Sequence, residues 1–417
     1  MERVPVCLVG CGGMGHRHIW GFEALVASGD QPIDLVAVCD TREDNAQRAA
    51  AEIERITGRR PTVHLSIEDA IADPQIAAFD VVTDASSHHT VVVPILRAGK
   101  HVMCEKPLGL TVRASRAIMD AAAASGVVLA TAENLRRDPP NRLARAAIDA
   151  GLLGDLHLMV HNAIGGDDKI IITPWRHLKD KGAIGLDMGV HYTDIIQYYL
   201  GEFDVIFGRG LIAEPIRRRR DAPELDNESY RARFAEIPES MEATGEDSVI
   251  AMYRMKSGVT ATLAYVPSGP GHRYFQRSLH GRNGSMEVPG DRTGKEVELR
   301  RADGVLRGKQ MLDALPDFEL DGITSRLFGE RTVSYDWPFE RIDASHLAIE
   351  LHDFGSAILE DRSPEVDGHL GTTAVAAVLG AYESDLLGRS VTMDEIMSSE
   401  VSGYQDEIDV AIGLLDA

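Results

Sequence analysis

Residues 6–22, VCLVGCGGMGHRHIWGF, run from a short apolar segment through a glycine-rich turn into a helical stretch. Gly10, Gly12 and Gly15 stand in the spacing G-x-G-x-x-G. The first glycine permits a tight turn, the second lets a pyrophosphate approach the backbone, and the third lets strand and helix pack closely. The helix N-terminus then attracts the phosphate charge. Gly13 and Met14 complete the loop. The next strand-like run, DLVAVCD, ends in Asp40, 25 residues beyond Gly15. A carboxylate there accepts hydrogen bonds from ribose hydroxyls and repels a 2′-phosphate, so the loop reads as an NAD site. Arg42, two residues on, could pair with such a phosphate, which leaves NADP as the alternative.

Outward from that loop, strand-like runs alternate with helical ones. VCLVG, DLVAVCD, AFDVVTDAS, KHVMCEK and GVVLATAE are rich in β-branched residues. Between them lie stretches such as REDNAQRAAAEIERITG and TVRASRAIMDAAAASG, with Gly99 and Gly126 where helix C-caps fall. Repeated βα units predict an α/β fold, a parallel doubly wound sheet over residues 1–135. From about residue 155 candidate strands follow one another, with MKSG and GRNG reading as hairpin turns. Residues 136–417 are therefore expected to form an α+β domain with a large, mostly antiparallel open sheet. Helices close the chain, in ASHLAIELHDFGSAILED and LGTTAVAAVLGAYESDLLG. Residues 214–246 read as an irregular polar excursion.

The 417 residues carry a formal charge of −22 and are 44% hydrophobic. The acidic excess argues against nucleic acid or an anionic membrane as partner, because both would be repelled. The basic run at Arg217–Arg220 opposes that trend and reads as a solvated loop, with a partner or phosphate patch as the alternative. The N-terminus enters a strand at once, without a signal-peptide pattern. No apolar stretch approaches the ~18 residues of a membrane span. Cys7, Cys11, Cys39 and Cys104 lie in or beside short apolar runs, where buried reduced thiols are expected. Together these readings place the protein in the cytoplasm. No histidine has company at metal-ligand spacing, and no metal is expected.

The run KHVMCEKPLGLT carries Glu105 and Lys106 at the tip of a strand. In an open parallel sheet, ligands sit beyond the carboxyl ends of the strands, so Lys106 should project toward the dinucleotide. By the same logic TDASSHHT, with Ser86 and His89, and ATAENLRR, with Asn134, line that crevice. After PWRH a helix starting near Gly185 would align Asp187, His191, Asp194 and Tyr198 on one face. Met188, Tyr192, Ile195 and Tyr199 then fall on a neighbouring apolar face. A first-turn aspartate is favoured by the helix dipole, so helix stabilisation alone also accounts for Asp187.

The glycine loop, His89, GKHVMCEKPLGLT and GAIGLDMGVHYTDIIQYYLG together resemble the Gfo/Idh/MocA family, which includes glucose–fructose oxidoreductase and inositol dehydrogenase-like enzymes. The resemblance implies a Rossmann domain and a sheet domain often used for oligomerisation. It further implies NAD(P)-linked oxidation or reduction at a sugar or cyclitol hydroxyl. Carried over residue by residue, it makes Lys106 the catalytic lysine, Asp187 and His191 its acid and histidine, and His89 a histidine beside the cofactor. Trp175 and Arg176 resemble a segment close to the nicotinamide. Asn134 is a further cofactor or substrate contact. A homodimer or homotetramer through the sheet is expected, since that face would otherwise be exposed.

A histidine ordinarily titrates near ~6.5, which suits a general base, whereas a lysine starts near ~10.4. His191 is therefore read as the base and Lys106 as donor to the reacting oxygen, with the converse assignment also open. An NAD-retaining lyase or glycosidase, working by transient oxidation of a sugar hydroxyl, is the alternative activity. Two departures from the family pattern bear on substrate identity, the first at the loop that meets the nicotinamide ribose and the second on the substrate-side wall beside Asp187. Asp84-Ala85 replaces a threonine-proline pair, and Lys181-Gly182-Ala183 replaces a glycine triplet.

Overall fold

A computed structural model of the chain describes residues 2–223 and 228–416. Six strands form the first sheet: β1 (Val4–Val9), β2 (Ile33–Cys39), β3 (Thr62–His64), β4 (Ala78–Val81), β5 (His101–Glu105) and β6 (Leu129–Ala132). Their order is β3-β2-β1-β4-β5-β6 and every pairing is parallel. Strands β4, β5 and β6 are buried almost throughout, as expected of a parallel sheet covered on both faces. The helices that cover them are α1 (Gly13–Ser28), α2 (Glu43–Thr57), α3 (Ile67–Ala72), α4 (His88–Arg97) and α5 (Val112–Ser125). The strand order reverses between β1 and β4, and that switch point opens the crevice at the carboxyl edge.

The chain leaves this sheet through a 3₁₀ turn (Leu135–Arg137) and α6 (Pro139–Asp149). It then builds a second sheet around β7 (Leu156–Ile164), with α7 (Ile184–Leu200) packed on it. The further strands are β8 (Phe203–Leu211), β11 (Ser248–Met255), β12 (Thr260–Val266), β13 (Tyr274–Gly281), β14 (Gly284–Glu287), β15 (Glu298–Arg301), β16 (Gly304–Arg307) and β17 (Val391–Thr392). Among the described residues the order is β16-β15-β14-β13-β7-β12-β11-β8-β17, antiparallel except for β12 beside β7. A separate ribbon of β9 (Ile216–Arg218) and β10 (Ser240–Glu242) flanks α8 (Glu228–Phe234) within the polar excursion.

One face of the large sheet is closed by α7 and by α12 (Gly368–Leu387), whose Val375–Ala381 segment is buried throughout. The other face leaves Phe207, Ile250, Met252, Ile164 and Tyr274 exposed, with Met252 directly opposite Phe207 and Tyr274 opposite Ile164. Among the described residues no helix is long and apolar enough to cross a membrane.

Two features differ from the sequence reading. First, beyond the short α9 (Lys309–Ala314), α10 (Gly322–Phe328) and α11 (Phe339–Leu359), read as part of the second domain by chain order, return to the first. Ile323, Phe328, Ala348, Ile349, Leu351 and Phe354 share a core with Ile19, Phe22 and Leu25 of α1. Second, the arginine run is not a solvated loop. Arg217 is fully buried, and its guanidinium donates to Asp247 at 2.7 Å and to the Asp167 carbonyl at 3.1 Å. Arg218 pairs with Asp168 and Arg220 with Asp167. Acids from two other segments thus pair with three of the four arginines and pin the excursion to the sheet domain, while Arg219 donates to the Ile237 carbonyl at 3.0 Å.

Candidate active site

The glycine loop follows β1 directly. Gly10 has φ +93°, and a Cβ there would lie 2.9 Å from the Val82 carbonyl oxygen. Gly12, in contrast, meets no atom within 4 Å of where a Cβ would be, so a phosphate can approach the backbone at that point. Gly15 packs α1 onto the turn, over the Gly10 carbonyl, and Met14 leans into the first core. Over Gly13 lies the ring of Tyr230 from α8, which fills the space a Cβ would take. The polar excursion therefore reaches back across the loop.

Asp40 follows β2 directly and ties it to this turn. Its carboxylate accepts from the Cys11 and Arg42 backbone N–H groups, both at 2.8 Å, and from Asn45 at 3.3 Å. Arg42 is directed elsewhere, to Asp44 at 3.3 Å and Glu236 at 3.6 Å. An open second glycine, a helix N-terminus and a strand-end carboxylate fit a dinucleotide.

At the end of β5, Lys106 spans the crevice to the first turn of α7. Its ammonium donates to Asp187 Oδ1 at 2.8 Å and to the Asp187 carbonyl at 2.9 Å. From the other side Arg176 Nε donates to Asp187 Oδ2 at 3.0 Å. Burial alone would raise the Asp187 carboxyl, but the two cations outweigh it and hold it well below the usual carboxylate range. The Arg176 guanidinium also lies 4.5 Å over the Trp175 indole.

One turn along α7, His191 meets Glu133, the residue after β6. Its Nδ1 is 2.7 Å from Oε2 and 2.8 Å from Oε1. Burial would raise the Glu133 carboxyl, but His191, the Leu135 N–H and Lys106 bring it below its ordinary value. Lys106, Thr131, Glu133 and Asp194 line one cavity, so the lysine and the carboxylate partner of His191 border a shared space. The remaining polar residues of the α7 face are paired too: Asp194 with Arg136 at 2.8 Å, and Tyr198 beneath the same guanidinium.

Behind Lys106 sits a second buried cluster. Glu105 accepts from the Lys106 backbone N–H at 2.8 Å and lies 3.3 Å from His18 Nε2, whose Nδ1 is 2.8 Å from Asp80. Burial opposes charge on His18, yet Asp80 and Glu105 raise its pKa well above the ordinary value. The strand tip is thus backed by an imidazolium between two carboxylates.

The structure joins Lys106, Asp187 and Arg176 at the crevice, with Trp175 against the Arg176 guanidinium, His191 one turn along α7 and Glu105 behind Lys106. Other expected site residues find different partners. His89 is buried, and that burial lowers its pKa. Its neighbour His88 instead bridges the Pro107 and Thr83 carbonyls at 2.9 and 3.2 Å. Asn134 is held by Arg292 at 2.8 Å. Ser86 donates to Asp84 and accepts from Lys181 at 3.1 Å, so the two departures from the family pattern meet each other. Glu133, His18 and Tyr230 were not singled out from the sequence. For Glu133 a signal existed, since an acid at the carboxyl end of a crevice strand stands where ligands bind.

Residues 4–133 match the family described as "Oxidoreductase family, NAD-binding Rossmann fold" (GFO_IDH_MocA), and residues 141–287 match its C-terminal domain. Levoglucosan dehydrogenase of Pseudarthrobacter phenanthrenivorans is 26% identical over 374 residues, 87% of this chain and 91% of that protein. Myo-inositol 2-dehydrogenase of Thermotoga maritima is 25% identical over 395 residues, 94% and 98% of the two chains. Among solved structures, a levoglucosan dehydrogenase in complex with NADH and levoglucosan superimposes with a TM-score of 0.73 at 22% identity. That superposition covers 94% of this chain and 100% of the other.

Proposed function

Because the chain belongs to the Gfo/Idh/MocA family of NAD-binding oxidoreductases, we propose that it transfers hydride between NAD and a secondary hydroxyl of a sugar, cyclitol or sugar derivative. The observation that carries this reading is the Lys106–Asp187 pair set one helical turn from the Glu133–His191 pair, at the carboxyl edge of the parallel sheet. The names of the relatives, levoglucosan and myo-inositol dehydrogenases, support the substrate class. Gly10, Gly12, Gly13, Met14, Gly15 and Asp40 would hold the dinucleotide. The engagement of Arg42 by Asp44 and Glu236 supports NAD over NADP.

Bound NAD supplies the hydride acceptor at its nicotinamide ring. The chain's own residues manage the proton and the charge. Lys106 already donates twice to Asp187, which leaves its third N–H for the reacting oxygen, where it stabilises developing negative charge. His191 is engaged at Nδ1 and keeps Nε2 to take the hydroxyl proton. Asp187 holds Lys106 and Arg176 in place, and the Trp175 indole offers a platform for the apolar face of a sugar ring.

The test is a screen for NAD reduction across sugars, cyclitols, uronates and glycosides, read as NADH absorbance. At least one polyol should support turnover, and Lys106→Met and His191→Ala should each lower kcat by ~10²-fold or more. A chain that binds NAD yet reduces it with none of these classes refutes the reading, as does full turnover in either variant. A glycoside consumed without net NADH points instead to transient oxidation. Four buried, unpaired thiols support a cytoplasmic location. The exposed Phe207, Ile250, Met252 face supports a homodimer or homotetramer through the large sheet. Light scattering should give a dimer or tetramer mass that falls on introducing Phe207→Lys with Met252→Lys, and a monomeric wild type overturns this.

A further inference from the structure

Glu133 is the buried carboxylate closest to the proposed base, and nothing in the proton transfer above gives it a task. We propose that Glu133 is the positioning residue for His191, selecting the Nδ1–H tautomer and so keeping Nε2 free to accept the substrate proton. This rests on the reading of His191 as general base.

Three observations carry it. Glu133 is only 3% exposed and approaches the imidazole with both oxygens, at 2.7 and 2.8 Å, so its orientation toward Nδ1 is over-determined. Its Oε1 also accepts from the Leu135 N–H at 3.0 Å, which anchors the carboxylate to the 3₁₀ turn that follows β6. Its partner, in turn, lies on α7 one turn from Asp187, inside a helix buried along nearly its whole length, so neither side can swing away.

The chemistry follows from acceptor counting. An ionised carboxylate accepts only, so the neutral imidazole facing it must carry its hydrogen on Nδ1, leaving the lone pair on Nε2. When the carbinol O–H is broken, the proton moves to Nε2 while hydride leaves the same carbon for the oxidised nicotinamide. The resulting imidazolium keeps its Nδ1–H on Glu133, which stays anionic and offsets the new charge. Held charged by His191 and the Leu135 N–H against its burial, the carboxylate is already in the form this needs.

The decisive experiment compares Glu133→Gln with Glu133→Asp in the full chain. Glutamine preserves volume but can donate its amide to Nδ1 and hold the opposite tautomer, an effect worth up to ~10⁴-fold in a serine-protease triad. On histidine-¹⁵N-labelled protein without substrate, the His191 ring is identified by its loss in His191→Ala. Wild type and Glu133→Asp should show Nδ1–H, and Glu133→Gln should show Nε2–H. With NAD and the polyol found in the screen, Glu133→Gln should lose ~10³-fold in kcat with the KM for NAD little changed. Glu133→Asp should recover at least part of that loss. An Nε2–H tautomer in wild type, or a Glu133→Gln kcat within about threefold of wild type, overturns the proposal. If Glu133→Gln does not fold, the wild-type tautomer and Glu133→Asp decide. Turnover surviving in His191→Ala would defeat the base assignment itself. An inactive His191→Ala beside a fully active Glu133→Gln defeats only the role of Glu133.

Discussion

Replacing Asp187 by asparagine removes one negative charge and leaves two buried cations facing each other across an amide. The side chains of Asp187, Lys106 and Arg176 are 4%, 13% and 14% exposed, so water can do little to relieve the loss. Breaking a buried pair by removing one partner costs about 3–5 kcal/mol. The asparagine oxygen still accepts one of the two bonds, which puts the expected loss near the lower end, roughly 3 kcal/mol. For a cooperative unit of 150–250 residues that is a fall in Tm of about 6–12 °C. The pH dependence separates this account from simple loss of packing. Asp187 is ionised when folded, with its pKa depressed below the unfolded value, so its contribution is fully present above about pH 4.5 and lost as pH falls through the folded pKa. The gap between wild type and Asp187→Asn, followed by circular dichroism, should therefore stay constant from pH 8 down to about pH 5. A shift under about 2 °C would refute the claim that two buried cations depend on this carboxylate. A gap that closes between pH 7 and 5 would show that Asp187 is not the depressed acid the geometry requires.

Two further outcomes follow from the fold around the site. Gly10→Ala places a Cβ 2.9 Å from the Val82 carbonyl oxygen at φ +93°, so we expect about 2–3 kcal/mol of destabilisation and at least a tenfold weaker NAD complex, measured by thermal shift and by quenching of intrinsic fluorescence. Glu350 is buried with both oxygens lacking a hydrogen-bond partner among the described residues, and burial pushes its pKa up to about 8. Between about pH 4.5 and 8 the unfolded chain releases a proton that the folded chain retains, so this group makes stability fall as pH rises. Glu350→Gln should be close to neutral at pH 4.5 and stabilising by roughly 2–4 kcal/mol near pH 8, and a gap that does not widen with pH contradicts the burial of a neutral carboxyl.

What was legible in the sequence is what local chain geometry encodes. The glycine loop, the Glu105–Lys106 tip and the α7 face with Asp187 and His191 each sit within one turn or one strand end, and periodicity or spacing reveals them. Partner choice is different, because it is settled by residues far apart in the chain. His191 meets Glu133 across 58 positions, and Arg17 meets Asp343 across 326, at 2.7 Å. Neither pairing has a local signature. Arg217 shows the same limit from the other side. Four consecutive arginines look solvated until Asp167, Asp168 and Asp247 arrive from elsewhere. The adjacent histidines 88 and 89 are a finer case. Helix α4 starts at His88, and its geometry turns that ring to the Pro107 carbonyl while His89 faces the chain's last helix.

The claim on which the account stands is that Lys106 and His191 act on one hydroxyl. A crystal structure of the chain with NAD and the polyol from the screen measures this directly. One substrate oxygen should lie within about 3.2 Å of both the Lys106 Nζ and the His191 Nε2, beside the nicotinamide ring. An oxygen that reaches only one of them, or a nicotinamide bound outside the space they share, would contradict it.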